Sequence, residues 1–97
     1  MTMQTLFTIE DVFDIAGRGC VLVPGIPYSL GLDVKPGQAL LIVSPDGVQI
    51  RTRIAAFEMV NNRTRPLENA AFAVPRDVKK AQLRIGSMVY LLGEDDT

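Results

Sequence analysis

The chain has 97 residues, 47% of them apolar, and 10 basic against 11 acidic side chains give a net charge of −1. One domain of this size can bury about two-thirds of its unfolded surface, and the composition is the opposite of a disordered segment's. With no histidine and one cysteine, imidazole acid–base chemistry, histidine-activated nucleophiles, the usual zinc sites and an internal disulfide are excluded.

The first strand signal runs from Phe7 to Ile15. Phe7, Ile9, Phe13 and Ile15 alternate with Thr8, Glu10 and Asp14; Asp11 falls on the apolar side and Val12 breaks the polar one. Ala16-Gly17-Arg18-Gly19 predicts a tight reversal into a buried strand, Cys20 to Val23, which Pro24-Gly25 ends or bulges. Pro27 to Leu32 reads as irregular connection. Lys35-Pro36-Gly37-Gln38 fits a type II turn that launches the apolar strand Ala39 to Val43, and Ser44-Pro45-Asp46-Gly47 fits a type I turn.

The next strand places Val48, Ile50, Thr52, Ile54 and Ala56 inward and Gln49, Arg51 and Arg53 outward; that phase carries Glu58 to the inner side unless a bulge shifts it. Asn61 to Glu68 reads as a polar loop, Asn69 to Val74 as a strand, Pro75-Arg76-Asp77 as a turn and Val78 to Leu83 as one helical turn. Ile85 to Leu92 closes the chain as a last strand. Six short strands punctuated by turns predict an all-β fold, a small closed antiparallel six-stranded β-barrel, because closure removes exposed edges. Residues 1–97 read as a single domain with a short frayed acidic tail at 93–97. No apolar run approaches the ~20 residues of a spanning helix. MTMQTLFTIEDVF has no basic start followed by a long apolar stretch, so the expected location is the cytoplasm, away from membranes.

Charge is uneven. Arg51 to Arg84 holds eight basic residues against three acids, a local +5, and the remainder holds two against eight, or −6. Such a segment is either a set of solvated strand and loop positions or an attractor for nucleic acid or an acidic partner.

The run Phe7-Thr8-Ile9-Glu10-Asp11-Val12-Phe13-Asp14-Ile15-Ala16-Gly17-Arg18-Gly19-Cys20-Val21 resembles the opening of the second domain of elongation factor Tu, a β-barrel shared by the translational GTPases. Further similarities follow in order at Val34-Lys35-Pro36-Gly37, Leu40 to Val43, Phe57-Glu58-Met59, Glu68-Asn69-Ala70-Ala71 and Gly86-Ser87-Met88-Val89, so the resemblance spans roughly residues 6 to 92. The GTPase domain is missing, since no Gly-x-x-x-x-Gly-Lys-Ser/Thr occurs.

The resemblance implies a non-catalytic binding module that needs no cofactor or metal. In that family the barrel helps hold the aminoacylated 3′ end of tRNA, which nominates Glu10, Asp11, Phe13, Glu58, Val60 and Asn69 as ligand-binding positions. The family has basic residues after its Val-Glu-Met segment, whereas here Val60-Asn61-Asn62 follows; Arg63 and Arg65 in the adjacent loop are the candidate substitutes for phosphate contact. Asp11 and Glu58 alternatively satisfy backbone amides at a bulge or strand end, and Phe13 is alternatively core.

Three function classes stay open. The chain binds RNA, aminoacyl-tRNA or a ribosomal component, with a separate GTPase or other protein as partner; or it is a protein-interaction or structural barrel, self-associating as a homo-oligomer, whose RNA surface is lost. An enzyme is the reading disfavoured by the missing catalytic groups.

Overall fold

The computed structural model describes residues 3–58 and 69–93, and its regular structure is strand with two single 3₁₀ turns. The strands are β1 (Met3–Thr8), β2 (Asp11–Ile15), β3 (Gly19–Pro27), β4 (Ala39–Val43), β5 (Gln49–Arg53), β6 (Ala56–Phe57), β7 (Asn69–Ala73) and β8 (Met88–Leu92). The 3₁₀ turns cover Tyr28–Leu30 and Lys80–Gln82.

The fold is all-β, but the hydrogen-bonded ladders form two antiparallel four-stranded sheets, ordered β1-β8-β4-β5 and β2-β3-β7-β6, instead of the single closed sheet of six strands expected from the sequence. The physical reason is that two of the six expected strands bend. At Ile9–Glu10 the chain leaves one sheet for the other. The Ile9 amide donates to the Ser87 carbonyl at 2.8 Å, and the next amide, Glu10, donates to the Val23 carbonyl at 2.9 Å. At Ile54–Ala55 the same happens: the Ile54 amide donates to Gln38 at 3.0 Å and the Ala55 amide to Ala73 at 2.8 Å. Each segment reads as one strand and is built as two.

The first bend also resets the alternation. Val12 is buried and Phe13 is 48% exposed, so the expectation that Phe13 and Ile15 share an inward face with Phe7 and Ile9 is reversed beyond Glu10. The second strand expected from the sequence is longer than Cys20 to Val23. It runs on to Pro27 through a bulge, with a register shift between Leu22 and Ile26 and Gly25 at φ 98°. The closing strand starts later than expected, at Met88, because Ile85 and Gly86 form a turn.

The turns read at Lys35–Gln38 and Ser44–Gly47 are present. The Gln38 amide reaches the Lys35 carbonyl at 3.3 Å, and the Gly47 amide reaches the Ser44 carbonyl at 2.9 Å. In the second, the Ser44 hydroxyl donates to Asp46 while its oxygen accepts the Val48 amide at 3.0 Å. The Ser44 hydroxyl, then the residue's own backbone amide, and after both the Arg84 guanidinium at 3.2 Å, hold the Asp46 carboxyl below its ordinary range. A depressed folded value stabilises the fold above the carboxyl's unfolded range, and that contribution is lost as pH falls through the folded value. Ser44→Ala should therefore raise the Asp46 pKa toward the ordinary carboxylate value, read by NMR titration of its side-chain carbon; an unmoved titration would show that the hydroxyl is not the cause.

The main core lies between the sheets. Phe72 is fully buried at its centre, with its ring edge-on to Phe7 at 5.8 Å and to Phe57 at 6.4 Å. Leu22, Leu40, Ile42, Ile54, Val74 and Val89 complete the layer. A second, smaller cluster of Val21, Ala71 and Ala73 sits on the other face of the β3–β7 pair. Cys20 packs into the main core like a small apolar residue, and burial pushes its thiol pKa up. The Ser87 hydroxyl is buried with no hydrogen-bond partner among the described residues.

Candidate functional site

A cleft of about 340 Å³ opens where the far ends of β3, β6 and β7 meet the Leu32–Val34 connection. Its walls are apolar, formed by Ile26 and Pro27 of β3, Tyr28, Leu32, Val34 and Phe57, with Ala70 and Ala71 giving a smooth side. Two polar side chains stand in it, Glu58 and Asn69. The β3 bulge shapes this end: Gly25 lies so close to β7 that its carbonyl accepts the Asn69 side-chain amide at 3.3 Å. Phe57 leans its edge on the buried Phe72 ring and keeps 37% of its own surface open to the solvent.

Glu58 follows β6, its amide donating to the Ala71 carbonyl at 2.9 Å. Its side chain is partnered from across the sheet: Arg18 Nη1 donates to Glu58 Oε2 at 2.9 Å. Arg18 sits on the β2–β3 reversal, where its amide closes the turn on the Ile15 carbonyl at 2.9 Å. The Glu58 side chain is 16% exposed and that of Arg18 63%. A pair this open adds little stability, so its main effect is to fix the carboxylate's direction.

The remaining nominated residues lie elsewhere. Glu10 is at the first bend. Asp11 and Phe13 are on β2, with two strands between them and β6. Asp11 is exposed, and its Oδ1 accepts the Val12 amide at 2.8 Å, a local backbone contact of the kind weighed as the alternative to binding. Phe13 lies directly across from Val21, which is itself across from Ala73, so an exposed aromatic and the exposed Ile15 border the smaller apolar cluster. Val60, Arg63 and Arg65 fall outside the described residues, as does the loop from Asn61 to Glu68.

Arg18 was legible only as a turn residue. Nothing in the spacing of Arg18 and Glu58 signals contact, because β3 and β7 carry the register that brings them together. Among the described residues no group of histidine, cysteine, aspartate or glutamate side chains could hold a metal ion, and no helix is long and apolar enough to cross a membrane. The chain matches no protein-family profile, no curated protein and no solved structure.

Proposed function

We propose that the chain is a non-catalytic binding module of the elongation factor Tu second-domain kind, which seats the 3′ end of aminoacyl-tRNA at the surface around Glu58. One observation carries the reading. Glu58 and Asn69, nominated separately by the resemblance, converge on the same apolar-walled cleft. The chemistry suits a terminal nucleoside. A base packs its flat face on apolar walls beside the Phe57 ring, and ribose hydroxyls donate to a carboxylate whose direction Arg18 fixes through one oxygen.

In this reading the two sheets are halves of one six-stranded barrel. β1–β2 and β5–β6 are bent strands that belong to both sheets, and going round from β1–β2 through β8, β4, β5–β6, β7 and β3 returns to β2. In this reading the barrel is an accessory to a GTPase or a ribosomal component, since its own 97 residues hold no phosphate loop. The second reading, a self-associating or protein-binding barrel, draws its support from Phe13 and Ile15, exposed beside Val21.

Binding of aminoacylated tRNA, uncharged tRNA and polyphosphate across a salt series tests the proposal. Aminoacylated tRNA should bind tightest, and Glu58→Ala should weaken it about tenfold, the loss of a hydrogen bond to a charged acceptor. Equal binding of all three ligands, unchanged by the substitution, rejects the tRNA reading. Dimers in sedimentation that dissociate with Phe13→Glu would select the second.

A further inference from the structure

Among the described residues the cations divide into two groups. Arg18, Lys35 and Arg84 are engaged by Glu58, Asp33 and Asp46. Arg51, Arg53, Arg76, Lys79 and Lys80 form no ion pair within the described residues, and three of these five follow one another on the connection between β7 and β8. Arg76 and Lys79 line a small cleft of about 150 Å³ whose other wall is the β2–β3 reversal, including Gly17 and Gly19.

The connection that carries them is well anchored. Val78 and Leu83 are buried, the Val78 amide donates to the Pro75 carbonyl at 3.0 Å, and the Lys79 amide donates to the Gln82 side chain at 2.8 Å. From the other side, the Cys20 thiol faces the Val78 carbonyl at 3.8 Å. Asp14 also lines the cleft, leaving two cations against one anion on its walls, and the flanking residues of the connection add one acid, Asp77, and one base, Lys80. Glycine backbone on one side and the Arg76 and Lys79 cations on the other, with Ile15, Cys20 and Val78 between, make a slot of the size and charge for a compact anion.

We infer that this slot is a phosphodiester-binding subsite for single-stranded nucleic acid, an inference that rests on the proposed nucleic-acid function and names where its backbone runs. The β2–β3 reversal links the two places: Gly17 and Gly19 wall the slot, and Arg18 between them reaches Glu58. A strand whose terminal nucleoside lies at Glu58 passes its phosphates over the reversal into the slot. These cations supply the charge that Val60-Asn61-Asn62, directly after Met59, does not carry.

The test uses a single-stranded RNA 12-mer ending in CCA and, separately, inorganic phosphate, each titrated across a salt series. In the double variant Arg76→Ala/Lys79→Ala, the slope of log K against log salt for the RNA should shrink by about 1.4, two contacts' worth for a single strand. Arg51→Ala/Arg53→Ala, which removes two cations from β5, should leave the slope near that of the unsubstituted protein. Equal slope changes in the two doubles, or none in the first, overturn the subsite, and so does a site that takes inorganic phosphate and not RNA. If the first double loses slope while Glu58→Ala changes nothing, the slot stands and the Glu58 reading fails; the reverse result sinks the slot alone.

Discussion

Phe72→Ala should cost about 3–5 kcal/mol and lower the melting temperature by well over 10 °C, the largest effect of any single truncation in this chain. Phe72 is fully buried, touches both sheets through its neighbours, and holds two aromatic rings edge-on. Its removal loses transfer energy, opens a cavity between sheets that cannot collapse onto each other, and breaks both edge contacts. Phe57, which loses its support, forms a wall of the cleft, so ligand binding should weaken even under conditions where the variant remains folded. Chemical denaturation with near-UV circular dichroism measures the first effect. A loss under about 2 kcal/mol would mean that the layer between the sheets is not packed around this ring.

Gly25→Ala should be the next most damaging change. At φ 98° the residue lies where a side chain is strained, and an added Cβ would be driven into the Ala70 carbonyl across the bulge. Conformational strain alone is about 1–2 kcal/mol. The collision is with backbone, which cannot step aside as a flexible side chain does, so β3 and β7 must part locally. The expected total is about 3 kcal/mol, and Asn69, bonded to the Gly25 carbonyl, should lose its place in the cleft. Gly37→Ala serves as the control. Its φ is 94°, yet an added Cβ there meets nothing within 4 Å, so only the strain should appear. Denaturation midpoints for the two variants separate strain from collision; equal losses would remove the collision from the account.

Strand positions were legible because period-two alternation and turn chemistry are local. Lys35 to Gln38 and Ser44 to Gly47 form their turns where the proline and glycine place them. The bends were not legible. Ile9–Glu10 and Ile54–Ala55 carry no glycine or proline, and their amides change sheets because of partners distant in sequence, Ser87 and Val23 in one case, Gln38 and Ala73 in the other. One unseen bend reverses the alternation of the strand that follows it, which is why Phe13 emerges on the surface. The same limit applies to the site. A carboxylate in an apolar phase was enough to single out Glu58, whereas Arg18 depended on strand register, and the Arg76–Lys79 slot on the packing of the β7–β8 connection against the first reversal.

Pairing of the outermost strands bears on how the molecule is made. β1 ladders only with β8 among the described strands, Met3 lying opposite Leu92. During synthesis β1 therefore has no ladder partner until β8 has left the ribosome, and joining them carries the entropy of closing a very long loop. Until then its sticky backbone edge is open to strangers, so yield in the cell should depend on chaperones.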